Sequence, residues 1–146
     1  MNRKIIIHTD ASNIKNSNIC KISSIIVMDD NTTTYENFCA GTIAYAELIA
    51  VIKTLEQIEK EHHPKNFCFE VYTDHLPNAK LFNAILLEKS NKCLEGLNKI
   101  DVILKRKSLT RQDIRVFPIL QNSNDVHVIW LPRKENKEAV KLSKYQ

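Results

Sequence analysis

Two aspartates in this sequence each follow a threonine at the end of an apolar run. Asp10 ends the stretch IIIHTD, and Asp74 ends the stretch FEVYTD. One carboxylate at the end of a strand is common, but two in the same local pattern suggest a shared task. Because neighbouring carboxylates repel one another, a cluster of them is tolerated when a divalent cation lies between them. All-oxygen ligands favour Mg²⁺ or Mn²⁺.

A third acid, Glu47, lies in a segment whose apolar residues recur with helical spacing. The apolar positions are Ala44, Leu48, Val51, Ile52, Leu55 and Ile58. Glu47 falls at the edge of the face that these residues form. A glutamate so close to a core must be paired or must bind a cation, since its desolvation is costly. Taken alone, Glu47 is better explained as a snorkelling or salt-bridged residue at the edge of the helix face.

The secondary structure that must position these acids follows from the hydrophobic periodicity. Strands are predicted over 4–10, 19–28, 32–39, 67–73 and 126–131, and helices over 44–61, over 76–89 and through Ala139 and Leu142. The polar stretch 12–18 predicts a turn, and 98–121 has no clear pattern. The first three strands predict an antiparallel meander, whereas the later strand–helix–strand steps require right-handed parallel crossovers. Trp130 is expected in the core.

The expected fold is therefore α/β, with a mixed five-stranded sheet and helices on both of its faces. Three strands are antiparallel and two are parallel, and the whole chain, 1–146, is one domain. If the first and fourth strands are adjacent and parallel, Asp10 and Asp74 lie at the same end of the sheet, where ligand sites of α/β proteins occur. The helix over 44–61 can then bring Glu47 to the same place.

The composition excludes several classes of protein. A hydrophobic fraction of 43% and a charged fraction of 26% are typical of a globular domain, and the net charge of +4 permits a polyanionic partner. Only two glycines are present, so glycine-rich phosphate loops are excluded. Four cysteines without a C-x-x-C pair predict reduced thiols in a cytoplasmic protein. We expect neither a signal peptide nor a membrane segment.

Four segments of the sequence resemble the ribonuclease H family, and in particular its shorter ribonuclease HI members. IIIHTDAS resembles the family's first strand with its D-G-S or D-G-A motif. GTIAYAELIAVIKTL is similar to the family's helix that carries a glutamate, and VYTDHLPNAKLF resembles its T-D-S strand end. VIWLPRKENKEAVKLSK is similar to the ending W-V-P-R-E-x-N-x-x-A-D-x-L-A. The segments occur in the family's order and cover nearly the whole chain.

The resemblance implies a ribonuclease H-like fold and hydrolysis of the RNA strand of RNA–DNA hybrids. It implies that Asp10, Glu47 and Asp74 are catalytic and bind two Mg²⁺ or Mn²⁺ ions. One position departs from the family: Val140 stands where the fourth carboxylate is expected. A valine cannot ligate a cation, so the second metal position is weakened. An inactive nucleic-acid-binding module and a protein-interaction domain therefore stay open as alternatives.

Polar and basic residues around the acids are candidates for contact with nucleic acid. Arg133 and Lys134 follow the last predicted strand and can reach a phosphate beside the site. The basic run of 105–107 can contact a nucleic-acid backbone, although a solvated charge run is the plainer interpretation. The residues predicted to contact nucleic acid are Ser12, His75, Lys105, Arg106, Lys107, Arg133, Lys134 and Asn136.

Overall fold

A computed structural model describes residues 3–77, 79–80, 82–83 and 124–136 of the chain. The strands are β1 (Arg3–Asn13), β2 (Ile19–Met28), β3 (Asn31–Ala40), β4 (Phe67–Thr73) and β5 (Asp125–Trp130), and the helix is α1 (Ile43–His62). The described residues of 76–83 are helical, and a single 3-10 turn covers Arg133–Glu135. The segment 98–121 and the predicted helix through Ala139 and Leu142 lie outside the described residues.

The five strands form one sheet in the order β3-β2-β1-β4-β5. Strand β2 is antiparallel to both β1 and β3, whereas β4 is parallel to both β1 and β5. The register pairs Ile5 with Phe69 and Phe69 with Val126, and these three side chains are buried. The mixed five-stranded sheet predicted from the sequence is thereby confirmed, with β1 and β4 adjacent and parallel.

Helix α1 packs its apolar face against the antiparallel half of the sheet. Its start is fixed by Thr42, whose hydroxyl accepts a hydrogen bond from the Tyr45 amide at 3.2 Å. It ends at His63, which adopts a left-handed conformation with φ of 45°. The buried face includes Leu48, Leu55 and Ile58. Because the helix lies across β1 and β2, its first turns reach the end of the sheet at which Asp10 lies.

Two asparagines hold the parallel half of the sheet in register. The Asn124 side chain accepts a hydrogen bond from the Phe67 amide at 2.8 Å and donates one to the Pro64 carbonyl at 2.8 Å. The Asn83 side chain donates to the Val128 carbonyl at 2.8 Å and accepts from the Val128 amide at 3.3 Å. Strand β5 is an edge strand, so the second pair supplies partners that a neighbouring strand does not.

Two expectations from the sequence differ from the structure. Strand β1 continues to Asn13, so Ser12 lies in the strand opposite Lys21 rather than in a turn. The expectation that Trp130 is in the core is wrong, since 46% of this residue is exposed. The reason is its position as the last residue of β5, which is an edge strand of the sheet that the described residues form. None of the helices formed by the described residues is long and apolar enough to cross a lipid bilayer.

Candidate active site

Three elements bring one carboxylate each to the same end of the sheet. Asp10 lies in β1, Asp74 directly follows β4, and Glu47 lies in the first turns of α1. One oxygen atom from each carboxylate lies within 4.8 Å of the others. Among the described residues, this is the one group of three or more acidic, histidine or cysteine side chains close enough to hold a metal ion. The sequence pattern pointed to these three residues, and the structure brings them together.

Two of the three carboxylates, Asp10 and Glu47, are buried, and burial is the largest cause of the pKa shifts in the cluster. Glu47 is 3% exposed, and burial together with the nearby Asp10 and Asp74 carboxylates raises its pKa far above the ordinary value. Burial and Asp10 also raise the pKa of Asp74, although Arg133 opposes that shift. In the metal-free protein the cluster therefore retains protons that isolated carboxylates would lose.

The donor atoms fit a divalent cation. The Oε2 atom of Glu47 is buried and has no hydrogen-bond partner among the described residues. A buried carboxylate oxygen without a partner is costly, and a bound cation would offset that cost. The three groups supply oxygen ligands, the type that Mg²⁺ and Mn²⁺ prefer. The burial of the Glu47 oxygen, the oxygen ligands and the short distances between the three carboxylates therefore fit a metal site.

Arg133 lies against the carboxylates. Its Nη1 atom is 3.2 Å from Oδ2 of Asp74 and 3.6 Å from Oδ1 of Asp10. The Leu131 amide donates to the Thr73 carbonyl at 2.9 Å, which extends the β4–β5 pairing and directs the following turn toward the site. Arg133 and Lys134 are both exposed on that turn, as a contact with a phosphate requires.

Comparison with solved structures gives the fold a name. LC11-RNase H1, isolated from compost by a metagenomic approach, superposes with a TM-score of 0.66 over 96% of this chain and 92% of its own, at 22% identity. RNase H1 from the halophilic archaeon Halobacterium salinarum gives 0.62 over 96% and 94%, at 18% identity. The chain has the ribonuclease H fold. No family model and no curated protein matches the sequence.

A structure of LC11-RNase H1 in complex with an RNA/DNA hybrid has the same fold as this chain. The TM-score is 0.64, and the match covers 94% of this chain and 92% of that one at 20% identity. At such identity the likeness establishes the ribonuclease H fold alone.

Trp130 lies at the rim of the carboxylate site in this ribonuclease H fold. Its indole Nε1 donates a hydrogen bond to the Asp74 carbonyl at 3.3 Å, while much of the ring faces solvent. His75 is half-buried beside it, and its amide donates to Oγ1 of Thr73 at 3.2 Å. Sequence reasoning missed the place of Trp130 beside Asp74. Trp130 is placed there by its pairing with Thr73 in the sheet. The sequence of neither strand alone predicts that register.

Asn136 is predicted to contact nucleic acid, but the structure buries it. It is 1% exposed, and its Nδ2 donates to the Thr9 carbonyl at 2.9 Å. Its Oδ1 lies 3.1 Å from Nδ1 of His8, which donates to it in this arrangement. The His8 ring is stacked on Tyr72, with ring centroids 4.8 Å apart. Asn136 therefore holds the backbone next to Asp10, and its contact with nucleic acid stays a prediction.

The remaining predicted residues fall into two groups. Ser12 is half-buried in β1, close along the strand to Asp10. Lys105, Arg106, Lys107 and the missing-carboxylate position Val140 lie outside the described residues.

Proposed function

We propose that this protein is a ribonuclease H-type nuclease that hydrolyses the RNA strand of RNA–DNA hybrids with the help of divalent cations. The observation that carries the proposal is the convergence of Asp10, Glu47 and Asp74, whose oxygen atoms lie within 4.8 Å of one another in a ribonuclease H fold. A merely structural role does not account for two buried acids and one half-buried acid gathered from two parallel strands and a helix.

The chain's own residues have distinct tasks in this proposal. Asp10, Glu47 and Asp74 hold the metal, with Asp10 central because it lies in the middle of the sheet. When bound, Mg²⁺ or Mn²⁺ supplies an activated water and stabilises the leaving 3′ oxygen. The raised pKa values of Glu47 and Asp74 mean that these acids must release protons before a cation can be held.

The substrate surface in this proposal surrounds the carboxylates. Arg133 and Lys134 are exposed cations at the site and are suited to contact phosphates. His75 and Ser12 flank the acids along the chain, and the basic run 105–107 adds sequence-independent attraction. Discrimination of RNA from DNA would depend on the 2′-hydroxyl. A cytoplasmic location, inferred from the cysteine pattern, belongs to the same proposal.

A second candidate is an inactive nucleic-acid-binding module with the same fold. The observation in its favour is Val140, where the resembling family has its fourth carboxylate. With one carboxylate ligand fewer, the site binds a second cation more weakly, so low or absent activity with Mg²⁺ is expected of such a module. Retention of the other three acids favours the nuclease.

Cleavage of a labelled RNA–DNA hybrid tests the two candidates. The parent protein, Asp10→Asn and Val140→Asp are assayed with Mg²⁺ and separately with Mn²⁺. Cleavage by the parent that is lost in Asp10→Asn supports the nuclease, and a gain in Val140→Asp identifies the missing ligand. Activity in Val140→Asp alone favours the inactive module. If neither the parent nor Val140→Asp cleaves the hybrid, and neither binds it at low salt, both candidates are contradicted and a protein-interaction domain is favoured.

A further inference from the structure

The guanidinium of Arg133 lies against two of the three carboxylates of this site. Its Nη1 atom lies 3.2 Å from Oδ2 of Asp74 and 3.6 Å from Oδ1 of Asp10. Those two carboxylates provide two of the three oxygen ligands in the cluster, and Glu47 provides the third. A guanidinium stays charged at all ordinary pH values, so Arg133 can compensate these carboxylates whenever they are ionised.

The two sides of this ion pair differ in how easily they can move. Asp10 is fully buried in β1, so its carboxylate is fixed by the sheet. The Arg133 side chain is 55% exposed and lies on the single 3-10 turn of Arg133–Glu135, which contains no buried residue. Moving the guanidinium into water therefore disturbs no packed core, and a bound cation would replace its charge beside the buried carboxylates.

We propose that Arg133 is the resident counter-ion of the carboxylate site and is displaced when a divalent cation binds. The inference rests on the proposed function, because it requires Asp10, Glu47 and Asp74 to be the metal ligands. Arg133 then stabilises the carboxylates of the metal-free protein. Because it competes with the cation, it also lowers the affinity of the site for metal. The displaced guanidinium stays beside the site, where it can contact a phosphate of the substrate.

Calorimetric titration with Mn²⁺, in the absence of nucleic acid, tests this role without reference to activity. The proteins are the parent, Arg133→Gln, Arg133→Lys and Asp10→Asn. Lys80→Gln is the matched control, because it removes one positive charge from an exposed residue on the helical segment that follows Asp74. Circular dichroism of each variant checks that it is folded.

We expect Arg133→Gln to bind Mn²⁺ about tenfold more tightly than the parent, because the competing charge is removed. Arg133→Lys should lie between the two, and Lys80→Gln should stay within about twofold of the parent, since long-range charge is screened by salt. If Arg133→Gln binds Mn²⁺ no more tightly than the parent, while Asp10→Asn does not bind it, the counter-ion role of Arg133 is refuted. The metal site itself is then supported. If neither the parent nor Arg133→Gln binds Mn²⁺, the metal site itself is refuted, and the inference with it.

Discussion

The side-chain amide of Asn136 holds the backbone carbonyl of Thr9, with Nδ2 and the oxygen 2.9 Å apart. Thr9 directly precedes Asp10, so this bond joins the segment after β5 to the strand that carries the central carboxylate. The Thr9 hydroxyl donates in turn to the Tyr72 carbonyl at 3.3 Å, which links the same point to β4. The backbone that presents Asp10 is therefore fixed from two directions.

Asn136→Ala should destabilise the protein by about 1–3 kcal/mol, because it removes a buried hydrogen bond to the Thr9 carbonyl. The free energy of unfolding in urea measures the loss. Asn18→Ala, at an exposed position in the turn before β2, is the control and should change stability by less than about 0.5 kcal/mol. Equal effects of the two substitutions would mean that the bond between Asn136 and Thr9 contributes nothing specific.

The stability of the metal-free protein should fall as the pH rises above about 4.5. The ordinary pKa of Glu47 is 4.5, and in the folded protein burial and its acidic neighbours raise it well above that value. Between the two values the folded chain keeps a proton that the unfolded chain has released, so rising pH favours unfolding. Asp74 shifts in the same direction. Urea denaturation in the presence of a chelator, from about pH 5 to about pH 8, measures the slope.

Glu47→Gln should flatten this pH dependence and raise the stability near pH 8 by about 1–3 kcal/mol, since a buried amide, unlike a glutamate, needs no proton uptake on folding. Glu56→Gln, at an exposed glutamate of the same helix, should leave the slope unchanged. The same denaturation series measures both variants. A parent protein whose stability increases over this pH range would contradict the raised pKa of Glu47.

The fluorescence of Trp130 should report occupation of the carboxylate site. It is the only tryptophan in the chain, it is partly exposed, and its indole nitrogen donates to the Asp74 carbonyl. Addition of Mn²⁺ should quench or shift its emission, and Asp10→Asn should abolish that response. A response that persists in Asp10→Asn would place the cation elsewhere.

Gly41→Ala should cost about 1–2 kcal/mol of stability, because Gly41 has φ of 123° in the turn before α1. An added Cβ would also lie 3.1 Å from a ring carbon of Tyr45. The urea midpoint measures the loss. Because the turn leads into the helix that carries Glu47, Mn²⁺ affinity should fall as well. An unchanged midpoint would show that this conformation tolerates a side chain.

The sequence alone was enough to predict the order of the described elements and to identify the three carboxylates of the site. Hydrophobic periodicity is a local property, so the helix expected over 44–61 is observed at Ile43–His62, and strand 19–28 is observed as Ile19–Met28. The repeated threonine–aspartate pattern at two strand ends identified Asp10 and Asp74. Parallel pairing of those two strands was the condition for bringing the aspartates together, and the sheet meets it.

Only the tertiary structure decided how the side chains around those acids are used. Trp130 is exposed because β5 is an edge strand, and Asn136 is buried because the turn after β5 returns to β1. Arg133 contacts Asp10 and Asp74 through the same turn. Each outcome depends on residues more than fifty positions apart in the chain, and no local pattern of residue types encodes such a distance.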